Sequence, residues 1–206
     1  MEAGSPPGSP ARLREHREPG AGNSGCYDDA VTDGAGAAPL TVALRPVSAA
    51  DHPRLLELNN QAVPAVPTET LESMAELLEV SQWSVVAEDG NGVVQGAVIT
   101  VSPGAEYHSE NYRYFEETFD QHFYIDRVFV DEAARSAGIG RVLYRAVEDE
   151  ARRLGIPAVT CEVNLEPPNP QSLAFHHREG FRDLDTQSTK GGSVVVQLMV
   201  KDVVVE

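Results

Sequence analysis

One stretch constrains this chain more than any other. Arg135-Ser136-Ala137-Gly138-Ile139-Gly140 lies between an apolar run with strand character, Phe123 to Val130, and a segment of helical periodicity, Ile139 to Leu154. Two glycines where a helix starts let the backbone approach a ligand with no side chain in the way. The first N–H groups of a helix have no partner inside it and point outward at its positive end. A strand, a glycine-bearing turn and a helix start therefore form an anion cradle, and a phosphate or pyrophosphate is its natural occupant. Two common phosphate binders are excluded. The dinucleotide fingerprint G-x-G-x-x-G would need glycine where Leu143 stands, and the nucleotide P-loop needs a Gly-Lys-Ser/Thr that the chain lacks.

The bulk properties narrow the field further. The 206 residues suffice for one domain with a full core. A formal net charge of −16 argues against nucleic acid as a partner and favours cationic substrates such as amines. Cys26 and Cys161 stand in unlike contexts, a polar tail and an apolar strand, so no structural disulfide is expected and a reducing cytoplasm fits. Neither has the His or Cys neighbours of a zinc site, and no metal is expected. No apolar run is long enough to span a membrane, and the N-terminus lacks the apolar core of a signal peptide.

Residues 1–39 are rich in Gly, Pro, Ala and Ser and are expected to be a disordered tail ahead of a domain over 40–206. The alternation of Leu40 to Arg45 reads as a first strand. Asp51 can cap a helix with Leu55, Leu56 and Leu58 on its apolar face, and Pro64 and Pro67 end it. A second helix over about 69–79 carries Leu71, Met74, Leu77 and Leu78. Trp83 to Ala87 and Val93 to Val101 flank Asp89-Gly90-Asn91-Gly92, a hairpin pattern. A long aromatic connection, 102–121, follows, and its length points to a functional role. After the strand and helix around the cradle come a strand from Ala158 to Val163, a helix from Ser172 to Glu179 and two strands joined through Lys190-Gly191-Gly192. The expected order is βααβββαβαββ, an α/β fold with a mixed, twisted sheet flanked by helices.

The turn reads as Arg-x-x-Gly-x-Gly, and a second block, Asn169 to Phe181, reads N-x-x-[AS]-x-x-[LF]-[YH]-x-x-x-G-F. Together they resemble the two signature blocks of the GNAT acyl-CoA N-acyltransferase superfamily, in order and separation. The resemblance covers roughly residues 40–203 and implies acetyl transfer from acetyl-CoA to a primary amine of a small molecule or amino acid. Transfer to protein N-termini or lysines, or a non-catalytic acyl-CoA-binding module, are the alternatives. Related enzymes are often dimers, which allows a homodimer here.

The resemblance also implies roles for residues. Val128, Phe129 and Val130 would meet pantetheine through their backbone. Arg135, Ser136, Ala137, Gly138, Ile139, Gly140 and Arg141 would cradle the pyrophosphate. Asn169 would bond the pantetheine arm or cap its helix. Strict alternation puts His122, Tyr124 and Asp126 on one strand face and Phe123, Ile125 and Phe129 on the other. The family often has Glu or His at the positions of Tyr124 and Asp126, so Asp126 is the candidate base, with Tyr124 beside it; the rival reading of Asp126 is an ion pair with Arg127 or a lysine, or a structural hydrogen bond to the long connection. His176 stands where the family more often has a tyrosine acid; it would either protonate the CoA thiolate or merely hydrogen-bond within its helix or pack on the cofactor. Asn59, Asn60, Tyr112 and Tyr114 fall where the family builds its acceptor pocket, and aromatics there can enclose an amine.

Overall fold

The computed structural model describes residues 41–205. The tail expected over 1–39, and Cys26 within it, lie outside the described residues.

Seven strands form one sheet: β1 (Val42–Pro46), β2 (Trp83–Asp89), β3 (Val94–Val101), β4 (Phe123–Val130), β5 (Ala158–Glu166), β6 (Arg182–Thr189) and β7 (Val194–Asp202). Their spatial order is β1-β2-β3-β4-β5-β7-β6. Every neighbouring pair is antiparallel except β4 and β5. That parallel pair needs a crossover, which α4 (Ile139–Leu154) supplies. The remaining helices are α1 (His52–Gln61), α2 (Leu71–Val80), α3 (Glu110–Thr118) and α5 (Pro170–Arg178).

The hairpin between β2 and β3 forms as its residues predict. Asp89 Oδ1 accepts the N–H groups of Asn91 and Val93 at 2.9 and 3.0 Å, and Gly92 takes the positive φ that the turn needs. At the start of α1, Asp51 stands in the cap position but makes no side-chain cap bond. Its carboxylate instead accepts from Ser48 N–H and from Arg45 Nη1, each at 2.8 Å, and this tethers β1 to the helix start. Leu55 and Leu58 of α1 and Met74 and Leu77 of α2 are buried; Leu71 is exposed, because it stands at the first position of α2.

The two faces of the sheet carry different helices. On one, Leu143, Val147 and Ala151 of α4 pack on Val98, Phe123, Ile125, Val159 and Cys161. On the other, α1 and α2 pack on Val86, Ile99 and Phe129. The connection 102–121 adds a helix to the expected order. Within it, α3 lays Tyr112 and Phe115 on Tyr124 of β4 and on Val196 and Leu198 of β7, beside α1 and α2. Ser109 caps α3, accepting the N–H of Tyr112 at 3.3 Å.

The insertion is pinned throughout. The Tyr112 hydroxyl donates to Ser102 C=O at 2.8 Å and accepts from Ala105 N–H at 2.9 Å. Glu116 accepts from Gly104 N–H at 3.0 Å and pairs with the buried His122 ring at 2.9 Å. Glu110 accepts the N–H of Lys190 at 2.9 Å, in the turn between β6 and β7.

One detail of β4 departs from strict alternation. The register against β3 slips between Ile99 and Thr100: Ile99 faces Arg127, but Thr100 faces Ile125. Asp126 is the extra residue of a β-bulge. The slip returns Phe129 to the α1/α2 face, away from Phe123 and Ile125, with which simple alternation grouped it.

Phe115 is wholly buried under this inserted layer. Replacing it with alanine is expected to cost about 3–5 kcal/mol, read as a lower urea midpoint.

Candidate active site

The parallel pair that α4 connects is paired only at its start. Phe123 faces Val159 and Tyr124 faces Thr160, and no pairing continues beyond them. From Ile125 to Val130 the β5-facing edge of β4 therefore has no strand partner, and the sheet opens between β4 and β5. An extended chain can pair with such an edge as another strand would. Val128, Phe129 and Val130 lie along this opening.

The cradle lies at its end. Gly138 caps α4 in the left-handed conformation (φ 83°), and Ser136 also has positive φ (70°). Such a φ strains any residue with a Cβ, so Gly138 suits its place. The first bond of α4 runs from Val142 N–H to Gly138 C=O, leaving the N–H groups of Ile139, Gly140 and Arg141 without helical partners. Phe175 of α5 lies over Gly140, where an added Cβ would touch its ring at 3.5 Å. The Arg141 side chain turns to Glu179, with Nε 3.1 Å from Oε1, so Arg141 offers the cradle its backbone. Arg135 is half exposed beside Glu132. These unpaired donors and the open strand edge fit a ligand with a diphosphate and a long amide-bearing arm.

The bulge places Asp126 and Arg127 in a buried network. Arg127 Nε donates to Asp126 Oδ2 at 3.0 Å, Nη1 to Asn59 Oδ1 at 2.7 Å and Nη2 to Glu69 Oε1 at 2.7 Å. The Tyr107 hydroxyl donates to the other Asp126 oxygen at 2.6 Å. Burial pushes the Asp126 carboxyl up from its ordinary value, against the pull of Arg127 and Tyr107. With both oxygens engaged, Asp126 is placed to hold Arg127 and Tyr107.

The Tyr124 hydroxyl points instead to a carboxyl that the sequence reading passed over. It donates to both oxygens of Glu162 on β5, at 3.0 and 2.9 Å, and Asn111 of α3 also hydrogen-bonds that carboxyl. Burial, reinforced by the charge of Asp126, pushes Glu162 up to about 8. The signal was a carboxylate set between the apolar Cys161 and Val163 of the strand. Cys161 and Val163 face the α4 core, so alternation puts Glu162 on the opposite face, where the strands diverge.

His176 is buried against Tyr144, Phe175 and Phe181. Its Nδ1 lies 2.8 Å from Ser172 C=O, an oxygen that can only accept, so Nδ1 carries the proton. Nε2 then accepts from the Tyr144 hydroxyl at 2.5 Å. Burial lowers the pKa of the ring, which stays neutral. Its single N–H is committed to the turn before it, and none is left for a leaving thiolate.

The residues expected to line the acceptor pocket serve the architecture. Asn59 is fully buried and joins Arg127 to Pro67 C=O, to which its Nδ2 donates at 2.9 Å. Asn60 bonds the backbone of Glu69. The Tyr112 hydroxyl is used up inside the insertion, and that of Tyr114 donates to Asp185 at 3.2 Å. Asn169 caps α5, accepting the N–H of Ser172 at 3.2 Å. Among the described residues no cluster of side chains could hold a metal ion, and no helix is long and apolar enough to cross a membrane.

Comparison with known proteins agrees with this geometry. Residues 54–181 match the Acetyltransferase (GNAT) family. The match spans more than half of the chain, which therefore belongs to that family. Over 59 residues it is 36% identical to an IAA acetyltransferase of Azospirillum brasilense, covering 29% of this chain and 37% of that protein. The chain thus matches little more than a third of the length of that relative. A ribosomal-protein-alanine N-acetyltransferase from Brucella melitensis is similar in structure, with a TM-score of 0.60 and 26% identity over 78% of this chain and 99% of that one. A phosphinothricin acetyltransferase from Sinorhizobium meliloti, solved with acetyl-CoA, has a TM-score of 0.60 at 19% identity, over 79% of this chain and 88% of that one.

The geometry of His176 sets a clear expectation. His176→Phe leaves the buried Tyr144 hydroxyl without its acceptor and is expected to lower stability by about 1–3 kcal/mol. Turnover per folded molecule, measured below the melting transition, is expected to stay within a few-fold of the parent.

Proposed function

We propose that this enzyme acetylates a primary amine of a small molecule in a ternary complex, with Glu162 as the general base. The observation that carries the proposal is the Glu162 carboxyl at the diverging strands, raised to about 8 and held by Tyr124 and Asn111. An alkylammonium is protonated at neutral pH and cannot attack a carbonyl. A carboxylate raised towards neutrality accepts its proton far better than an ordinary one does, and positioned bases of this kind contribute roughly 10²–10⁴-fold.

In this reading the acetyl-CoA arm lies along β4 at Val128, Phe129 and Val130, and the diphosphate meets Ser136 to Arg141. Glu162 takes the ammonium proton and the freed nitrogen attacks the thioester carbonyl. The carbon–sulfur bond breaks as the amide forms. The nitrogen gives up a second proton in the process; one of the two ends on the CoA sulfur and the other in water. Tyr124 positions the base, while Asp126 holds Tyr107 and Arg127 beside it.

The small-molecule reading is favoured over a protein acceptor by α3. It packs on Tyr124, Val196 and Leu198 and ties down the β6–β7 turn, which adds a fixed wall beside Glu162. A purely CoA-binding module needs no perturbed carboxyl at the cleft, so Glu162 favours an enzyme.

Turnover of the parent enzyme is expected to rise with pH through an inflection near 8. Glu162→Gln should remove that inflection and lower kcat about 10²–10⁴-fold, with acetyl-CoA affinity unchanged by calorimetry. An unchanged pH–rate profile would defeat the assignment. The same substitution should raise thermal stability at alkaline pH. Because the folded-state value lies above the unfolded one near 4.3, the parent loses stability as pH rises from about 4.3 through 8. Glutamine has no such loss.

Gly138→Asp tests the cradle separately. A carboxylate there repels a diphosphate, and a Cβ strains the left-handed cap. Acetyl-CoA binding should vanish by calorimetry while circular dichroism shows a folded protein; retained affinity would remove the cradle from the donor site.

A further inference from the structure

The charges around the candidate base carry the reading one step further, to the chemical class of the acceptor. This inference rests on the proposed function. Three carboxyl groups converge beside the diverging strands: Glu162, Asp126 and Glu69. One cation, Arg127, lies among them. Three of its five N–H groups are engaged, with Asp126 on Nε at 3.0 Å, Asn59 on Nη1 at 2.7 Å and Glu69 on Nη2 at 2.7 Å, and two of these partners are carboxylates. Glu69 is itself held in place by the Ser73 hydroxyl of α2. Arg127 is 8% exposed.

An acceptor bearing a carboxylate would enter a site whose buried cation is already paired with two carboxylates, Asp126 and Glu69, and whose base Glu162 is itself negative in the form that takes the amine proton. Like charges brought together in a poorly hydrated site cost several kcal/mol. An acceptor with only its amine meets no such opposition. The walls suit an apolar or weakly polar body, since Tyr107 and Tyr124 flank the carboxyls. Beyond Arg127, Arg113 on α3 and Lys190 in the β6–β7 turn are exposed cations of the inserted layer and the turn it pins.

We propose that the acceptor is a small primary amine without an acidic group, and that Glu69 excludes amino acids by occupying the face of Arg127 that would otherwise bind their carboxylate.

The test uses matched pairs that differ only by an α-carboxylate: tyramine and tyrosine, phenethylamine and phenylalanine, histamine and histidine, agmatine and arginine. Thiol release from acetyl-CoA by the full chain is measured for each. The expected result is a kcat/KM for at least one amine that exceeds its amino acid by about 100-fold or more. Glu69→Gln keeps an oxygen for Arg127 Nη2 but removes the charge. Within that variant the ratio of amine to amino acid should fall by about fivefold or more. Being a ratio inside one preparation, it does not depend on how much protein folds. Amino acids turned over as well as their amines would overturn the inference and leave the acetyltransferase reading standing; so would a pattern in which Arg113 or Lys190 captures the carboxylate, seen as a preference for the acids. An unchanged ratio in Glu69→Gln would overturn the role given to Glu69. Tight acetyl-CoA binding with no thiol release from any member of either set would overturn the small-amine reading itself, and this inference with it.

Discussion

The buried guanidinium of Arg127 is the fixed point that joins β4, α1 and the segment leading into α2. Burying such a charge is costly unless it is paired and hydrogen-bonded. Here the pairing draws on three separate parts of the chain: Asp126 from β4, Asn59 from α1 and Glu69 from the segment leading into α2. The same pairing that satisfies the charge therefore fixes the α1–α2 connection on the sheet. It also requires two consecutive residues of one strand to serve the same network, which a regular strand would not allow. The bulge at Asp126 meets that requirement, so the irregularity of β4 and the charge beneath it are one arrangement.

The parting of β4 and β5 sets the other half of the architecture. A parallel pair that stops after two residue pairs would ordinarily waste backbone hydrogen bonds. Here a short turn with its own hydrogen bonds, 131–137, leads from the unpaired edge to the left-handed Gly138 that opens α4, so free donors lie at both ends of that turn. Glu162 faces the opening from β5, on the side away from α4. In the proposed function donor binding and proton removal thus meet where two strands diverge.

The glycine turn and the second block could be read from the sequence because their chemistry is local. Gly138 and Gly140 are informative through what they lack, and that needs no knowledge of distant partners. The two-face packing of the sheet also followed from pattern. What could not be read depends on contacts far apart in the chain. His176 occupies the position of a proton donor, but only the fold brings Tyr144 and the Ser172 carbonyl to its two nitrogens. Glu162 sat in a strand that reads as buried, and its role became visible only when β5 left β4 and Tyr124 reached it. The bulge shifted Phe129 to the other face because a single inserted residue inverts a period of two. The aromatic connection was noticed for its length, yet its helix emerged from packing on Tyr124, Val196 and Leu198 rather than from its own periodicity.

The position of α3 in the chain has a consequence of its own. Strands β3 and β4 pair directly along their length, so the scaffold on either side of the insertion is complete without it. The inserted segment touches the acceptor face and the β6–β7 turn, while the cradle belongs wholly to β4, α4 and the turn between them. In the proposed reading β4 serves both the donor edge and the acceptor side, and the inserted segment adds a further wall to the acceptor side alone. If the acceptor lies where we propose, substitutions between residues 102 and 121 are the changes that can reshape its wall without touching the glycine turn of α4, which makes that segment the natural place for selection, or an engineer, to alter the enzyme's diet.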